Sequence, residues 1–219
     1  MWGARQQPRM PVRRPLAGDY LLCAHTGEAR RDVERFIHQS FARSYGADVR
    51  HFLPRLLSLH RDDASLLAAF GTRPAAAGRL FLETYLDQPI QRVLSDRLGT
   101  AIRRDQVVEV GNLAAQPGST RLMIAALTAL LYGEGFRWVV FTGAPQLHNS
   151  FLRLGLEPLV LGPADKKRLP AADREGWGSY YDQGPHVFAG DIQHGLRLLL
   201  GMPASRALLQ RVRLPGVRP

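Results

Sequence analysis

The sequence predicts a single α/β domain in which helices flank a mixed central sheet. Three observations support this fold class. Short apolar runs alternate along the chain with longer segments whose apolar residues recur at helical spacing. The 219 residues, 45% of them hydrophobic, are enough to bury a core. Residues 19–200 contain neither an internal repeat nor a linker-like segment, so we expect them to fold as one unit.

The first part of the chain predicts a strand, an amphipathic helix, a β-hairpin and a helical insert. The helix has apolar residues at helical spacing and ends at a glycine, and two aspartates separate the apolar runs of the hairpin. The insert is expected to break near Pro89. In chain order these segments are DYLLCAHT, EARRDVERFIHQSFARSYG, HFLPRLLSLHR with ASLLAAFGT, and GRLFLETYLDQPIQRVLSDRLG.

The second part of the chain predicts four further strands and three helices. Their order, combined with that of the first part, points to one mixed sheet. The predicted strands are VVEVGNLAA, RWVVFTG, EPLVLGPA and HVFAGDI, and the predicted helices are STRLMIAALTALLYGEG, PQLHNSFLRLG and IQHGLRLLLG.

The net charge of +10 is concentrated at the two ends of the chain. Residues 1–18 contain four arginines and residues 196–219 contain five, and neither segment has an acidic residue. The body is therefore close to neutral and is not expected to bind nucleic acid. We expect a disordered basic tail at 1–18, a globular domain at 19–200 and a flexible basic tail at 201–219. Such tails either are simply solvated or contact an acidic partner.

Several classes of protein are disfavoured by what the sequence lacks. One cysteine, Cys23, excludes an intrachain disulfide and favours a reducing compartment. The N-terminus has no apolar signal core and no run reaches about 18 apolar residues, so a cytoplasmic location is expected. The seven histidines show no metal-ligand spacing, so no metal is expected. GxSxG is absent, which disfavours a serine hydrolase.

The stretch VVEVGNLAAQPGST places an acidic residue, Glu109, inside an apolar strand. Alternation along a strand puts Glu109, Gly111 and Leu113 on one face. A carboxylate in a covered strand is costly unless it is paired or hydrogen-bonded. One interpretation is a functional carboxylate, because Gly111 leaves room for a ligand. The alternative is a buried structural ion pair with a nearby arginine: Arg103, Arg104 or Arg121.

The loop AAQPGST then leads into a helix, with Ser119 or Thr120 as the expected N-cap. Free N–H groups and the helix dipole make such a turn suitable for an anion. The loop matches neither GxxxxGK[ST] nor GxGxxG, so a nucleoside triphosphate site is not predicted.

A strand, a glycine-bearing loop, a helix, a strand and then a helix ending in RLGLEP resemble the acyl-CoA-binding core of the GNAT acyltransferase superfamily. The resemblance implies that the coenzyme A pyrophosphate lies at Gln116 to Arg121. Phe151 occupies the position where these enzymes often carry a tyrosine as general acid. The resemblance therefore implies a GNAT-like domain without that tyrosine.

A longer stretch, residues 45–190, resembles the thermostable hemolysin family. The matching motifs, in order, are FLPRLLSLHRDDASLLAAFGTRPAAAGRLFLETYLDQPIQ, VVEVGNLAA, FTGAPQLHNSFLRLGLEP and WGSYYDQGPHVFAG. That family is similar to the acyl-homoserine-lactone synthases and GNAT enzymes, whose corresponding strand also carries a glutamate near the reaction centre. The resemblance implies acyl transfer from a thioester, either acyl-CoA or an acylated carrier protein, to an amine or hydroxyl of a small molecule.

Acyl transfer of this kind requires a base near the nucleophile and a donor to the developing oxyanion. We predict Glu109 as the base or the amine-orienting group, acting directly or through water. Asn112 and nearby backbone N–H groups are predicted to contact the thioester carbonyl, and Tyr181 is predicted as a general acid. The predicted acceptor contacts are Glu83, Tyr85, His148 and Tyr180, with Asp87 as a further candidate. The predicted donor contacts are Gly111, Leu113, Ala114, Gln116, Gly118, Ser119, Thr120, Arg121 and Asn149.

Other interpretations of these features remain open. The acidic residues of the insert suit a solvated helix face, and the two tyrosines suit packing under a long loop. S-adenosylmethionine, an acceptor in the lactone synthases, is a further candidate ligand. The Arg-rich tails suit an acidic carrier protein. The basic, apolar segment HGLRLLLGMPASRALLQRVRLP suits an anionic membrane surface or a homodimer arm, so a membrane-active protein without catalysis is the alternative function.

Overall fold

The computed structural model describes residues 19–214, and within them it contains eight strands and seven α-helices. The strands are β1 (Tyr20–His25), β2 (Arg55–Arg61), β3 (Leu66–Pro74), β4 (Val107–Ala115), β5 (Trp138–Gly143), β6 (Leu159–Pro163), β7 (His186–Asp191) and β8 (Val212–Arg213). The helices are α1 (Gly27–Tyr45), α2 (Ile90–Leu98), α3 (Thr120–Gly133), α4 (Pro145–Leu152), α5 (Ala171–Arg174), α6 (Ile192–Gly201) and α7 (Pro203–Gln210).

All eight strands belong to one mixed sheet in the order β6-β7-β5-β4-β3-β2-β1-β8. The β4–β5 and β1–β8 pairs are parallel and the remaining pairs are antiparallel. The predicted α/β class with a mixed central sheet is therefore confirmed, as is the hairpin of β2 and β3. The helical insert between β3 and β4 is also present, as 3-10 turns followed by α2 directly after Pro89.

Helices cover both faces of the sheet because successive strand residues point to opposite sides. Val108 and Val110 of β4 pack with α3, α6 and α7 on one face. Val107 packs with the insert and α2 on the other face, where α1 also contacts the sheet through Val33 and Ile37. The β4 strand is thus central and buried on both sides, which explains its nearly continuous apolar sequence.

A β-bulge interrupts the pairing of β4 with β3. Gly71 pairs with Gly111 and Ala69 with Ala114, so β4 has one more residue than β3 in this interval. Asn112 takes up the extra residue in the left-handed region, with φ of 53°. The bulge reverses the alternation after Gly111, because Leu113 packs with the α3 cluster. The prediction that Leu113 shares the face of Glu109 was therefore wrong.

The parallel strands β4 and β5 separate part-way along their length. Their pairing runs from Val107 opposite Trp138 to Val110 opposite Phe141. Beyond these residues β4 continues through the bulge towards α3, while β5 leads into α4. The separation opens a space between two buried strands, next to the first turn of α3.

The C-terminal segment differs from the flexible tail expected at 201–219. As far as residue 214 it forms α7 and β8, and β8 pairs with β1. Arg213 also forms an ion pair with the buried Asp19 at 3.0 Å. Leu199, Leu208 and Leu209 pack against the core on α3, which leaves fewer apolar side chains for a membrane surface. The tail predicted at 1–18 and the last residues, 215–219, lie outside the described part.

Candidate active site

A cavity of about 510 Å³ opens where β4 and β5 separate. Its walls come from β4, the β5–α4 connection, the loop before β2, the insert and the segment after α5. The structure brings nine of the predicted site residues to this cavity: Tyr85, Glu109, Gly111, Asn112, Leu113, Ala114, Thr120, Tyr180 and Tyr181.

The carboxyl group of Glu109 is held by the backbone of the insert. It is 3% exposed, and its two oxygens accept hydrogen bonds from the N–H groups of Phe81 at 3.0 Å and Leu82 at 2.8 Å. Backbone donors therefore satisfy Glu109, and none of the three arginines considered above forms an ion pair with it. Both donors fix the plane of the carboxyl group against the cavity wall.

Burial raises the pKa of Glu109 to about 7. The two N–H donors and the positive charge of Arg73 act in the opposite direction, and the nearby Glu83 adds to the rise. A carboxyl group with a pKa near neutrality can accept and release a proton under ordinary conditions. Carboxyl groups shifted in this way cluster at functional sites.

Glu83 does not line this cavity, so the structure does not place it as an acceptor contact there. It forms a buried ion pair with Arg104, with N–O distances of 2.5 and 3.0 Å, and it accepts from the N–H groups of Leu80 and Ile90. Burial opposes the charge, but Arg104 and the two N–H donors hold the pKa of Glu83 below its ordinary value. The structural ion pair considered for Glu109 is thus present at Glu83.

Asn112 uses its side chain to fasten the loop before β2. Its Oδ1 accepts from the N–H of Leu53 at 2.8 Å, and its Nδ2 donates to the carbonyl of His51 at 3.1 Å. Leu53 in turn covers the glycines of the bulge, since a Cβ at Gly71 would lie 2.6 Å from the Leu53 Cβ and one at Gly111 would lie 3.1 Å from its Cδ1. Leu53 therefore fills the space beside Gly111. This differs from the expectation that Gly111 leaves that space for a ligand.

Two tyrosines share a hydrogen bond on the opposite wall. The hydroxyls of Tyr85 and Tyr181 are 2.5 Å apart. Burial raises the pKa of Tyr181 to about 12, although the hydrogen bond from Tyr85 works against this rise, and burial raises the pKa of Tyr85 further. Tyr180 is also buried, and burial raises its pKa too. All three phenols stay protonated at neutral pH, so they can donate hydrogen bonds but not act as bases.

At the other end of β4 the cavity reaches the first turn of α3. Ser119 is at the N-cap position but makes no side-chain cap hydrogen bond, and Thr120 lines the cavity. Gln116 is held away, since its Nε2 donates to the carbonyl of Leu66 at 2.8 Å. Gly118, Ser119 and Arg121 belong to the same turn but lie outside the cavity lining.

Two residues of α4 are not in the position predicted for them. His148 packs against Phe188, with ring centroids 4.8 Å apart, and does not line the cavity. Asn149 is exposed on the same helix. The cavity-facing positions of α4 are Gln146, Leu147 and Ser150, because a helix presents residues three and four apart to the same side.

The cavity residues that were not recognised in the sequence include Phe81, Thr142 and Arg73. Phe81 lines the cavity and packs against Tyr85 and Trp177. Thr142 lines the cavity with a buried hydroxyl that has no hydrogen-bond partner within the described residues. Arg73 lies opposite Glu109 in the register of β3 with β4. Only the strand register, which a single sequence does not give, would have placed Arg73 and Thr142 here.

Residues 19–214 contain no group of three or more His, Cys, Asp or Glu side chains that could hold a metal ion. None of the helices in this part of the chain is long and apolar enough to cross a membrane.

Comparison with known proteins starts with the family. The sequence profile named "Thermostable hemolysin" matches residues 23–196. The chain belongs to the thermostable hemolysin family. This match covers β1 to α6 and so includes every wall of the cavity. No curated protein sequence matches this thermostable hemolysin family member significantly.

Solved structures show which fold this hemolysin-family chain shares. FeeM, an N-acyl amino acid synthase from uncultured soil microbes, is 13% identical with a TM-score of 0.54, covering 87% of this chain and 99% of FeeM. BjaI, a CoA-dependent acyl-homoserine lactone synthase solved with SAM and isopentyl-CoA, is 14% identical with a TM-score of 0.55. The match covers 93% of this chain and 96% of BjaI. The AHL synthase LasI is 13% identical with a TM-score of 0.54, and the match covers 82% of this chain and 95% of LasI. The chain thus has the GNAT-like fold of acyl-transferring synthases.

Proposed function

We propose that this protein is an acyltransferase that moves an acyl group from a thioester to an amine or hydroxyl of a small molecule. The observation that carries the proposal is Glu109, a buried carboxyl group with a pKa of about 7 on the wall of the cavity between β4 and β5. The solved synthases of the same fold support the same reaction class.

The donor occupies the part of the cavity between the bulge and α3. The N–H groups of the first turn of α3 and the hydroxyl of Thr120 suit the phosphates of acyl-CoA or of the phosphopantetheine arm of an acylated carrier protein. Asn112 and Leu113 have no Cα partner in β3, so the bulge is the place on β4 where backbone N–H groups can meet the thioester carbonyl.

The acceptor occupies the end of the cavity lined by Glu109, Phe81 and the tyrosines. Glu109 takes a proton from the attacking amine or hydroxyl, directly or through water, as the new bond to the carbonyl carbon forms. The tetrahedral intermediate collapses by breaking the C–S bond, the Tyr85–Tyr181 pair donates a hydrogen bond to the leaving sulfur, and the thiolate takes its proton from solvent. The elevated pKa values of both tyrosines keep them protonated for this role.

The proposal is tested by incubating the full chain with acyl-CoAs of increasing length and a panel of amines, including S-adenosylmethionine. Thiol release and the mass of the acylated product are measured. A positioned general base contributes about 10²- to 10⁴-fold to the rate, so Glu109→Gln should lower kcat/KM by at least about 100-fold. Glu28→Gln removes the same charge at an exposed position of α1 and should leave the rate unchanged. Thiol release at the wild-type rate in Glu109→Gln would contradict the assignment.

A further inference from the structure

Arg73 lies at the acceptor end of the cavity on the strand next to Glu109. The two residues are direct partners in the antiparallel pair of β3 and β4. Directly opposite residues of such a pair project to the same face, with Cα atoms about 4.5 to 5.5 Å apart. The half-buried Arg73 and the buried Glu109 therefore both face the cavity, and both line it.

The guanidinium of Arg73 forms no hydrogen bond or ion pair with any residue in 19–214. Arg73 forms no ion pair with Glu109, whose carboxyl group is held by the N–H groups of Phe81 and Leu82, although the positive charge of Arg73 lowers the pKa of Glu109. Arg104, by contrast, binds Glu83, Gln91 and two carbonyls. Arg73 is also the only arginine or lysine among the described residues of the cavity wall. A partly buried cation without a partner is costly unless a ligand supplies the anion.

The guanidinium of Arg73 packs close to the backbone of the insert. Its Nη2 lies beside Gly78, where a Cβ would come within 3.1 Å of it. Gly78 has φ of 132°, a conformation that side chains disfavour. The guanidinium thus lies next to the same segment whose N–H groups hold Glu109, at one end of the cavity.

The site proposed for the donor phosphates is at the opposite end of the cavity. From Glu109 to Ala115 the strand extends by roughly 20 Å at about 3.3 Å per residue, and α3 begins beyond it. Arg73 is therefore far from the first turn of α3 and close to the point where the acceptor must present its nucleophile.

We propose that Arg73 binds a carboxylate of the acceptor, and that the acceptor is accordingly an amine that also carries a carboxylate group, as amino acids do. The amine lies at Glu109, which takes its proton, and the carboxylate lies at Arg73. The aromatic side chains of Phe81 and Trp177 suit an apolar portion between them. This inference rests on the proposed acyl transfer and specifies its acceptor.

The test compares amino acids with their primary amides and with the corresponding amines that lack the carboxylate, using one acyl-CoA. Wild-type protein should acylate the amino acid at least about 10-fold more efficiently than its amide or the amine without the carboxylate. A site that binds a particular group rejects analogues that lack this group. Arg73→Gln should lose that preference, so that amines with and without the carboxylate are acylated with similar efficiency. Arg79→Gln removes an equal charge at an exposed position outside the cavity and should keep the preference.

Binding without turnover provides a second readout. Carboxylate-bearing acceptors should raise the melting temperature of wild type and Arg79→Gln but not of Arg73→Gln. If Arg73→Gln is poorly folded, Arg73→Lys keeps the charge but loses the bidentate fork and should show a reduced preference. Acylation of all amines without a carboxylate preference would overturn this inference and leave the proposed function intact. Absence of acyl transfer to every amine would overturn this inference, and absence of transfer to hydroxyl compounds as well would overturn both.

Discussion

At the scale of single residues, the N–H groups of Phe81 and Leu82 hold the buried carboxyl group of Glu109, and burial raises its pKa to about 7. An acid within an apolar strand is costly, and this alone marked Glu109 as important. Which groups satisfy it was not predictable, because the N–H donors of Phe81 and Leu82 come from 3-10 geometry in the insert. The ion pair considered as the alternative for Glu109 is formed by Glu83 instead. The strand pattern indicates one buried acid. Only the tertiary structure shows that backbone N–H groups hold Glu109, whereas Arg104 forms an ion pair with Glu83.

The pKa of Glu109 has a consequence for stability. The unfolded carboxyl group ionises near pH 4.5 and the folded one near pH 7, so the folded state holds the proton more tightly. The stability that this provides is present below pH 4.5 and is lost as the pH rises to about 7. Because protonation and folding are linked, the free energy of unfolding of wild type should fall by about 2 to 3 kcal/mol relative to that of Glu109→Gln between pH 5 and pH 8. Urea denaturation of both proteins at the two pH values measures this difference, and a constant difference would contradict the elevated pKa.

At the scale of elements, most strands and helices lie where the hydrophobic periodicity predicts them. The predicted strand VVEVGNLAA corresponds to β4 residue for residue, and α6 has the predicted bounds. The bulge at Asn112 was not predictable, because a period of two has no signal for one extra residue. It nevertheless reverses the faces of β4 and so decides which side chains reach the cavity. The α7 and β8 elements were missed since their arginines suggested a solvated tail.

The bulge predicts a local effect of replacing Asn112. Asn112→Gly tolerates φ of 53° but loses the hydrogen bonds to His51 and Leu53. We expect a loss of about 1 to 2 kcal/mol in unfolding free energy and faster hydrogen exchange at the Leu53 amide. The Gln116 amide, bonded to the Leu67 carbonyl at the other end of β4, is the internal control and should exchange as before. Equal protection of Leu53 in both proteins would show that Asn112 does not hold the loop.

At the scale of the whole molecule, the site is assembled from segments far apart in the chain. The loop before β2, the insert after β3, the bulge of β4 and the aromatic segment after α5 meet at one cavity. The Ser179 N–H donates to the Tyr45 carbonyl and so joins the aromatic segment to the end of α1. Local patterns predicted the class of fold and its family resemblance. The strand order and register, which bring Arg73 opposite Glu109, depend on contacts across the insert and so were not available from a single sequence.

We propose that the burial of Glu109 makes this residue a base near neutral pH. The most direct measurement is kcat/KM for acyl transfer as a function of pH in wild type and Glu109→Gln. Taking the ratio of the two values cancels the ionisation of the acceptor itself. The ratio should rise about tenfold per pH unit below the pKa of about 7 and become constant above it. A ratio that does not change with pH would contradict the claim.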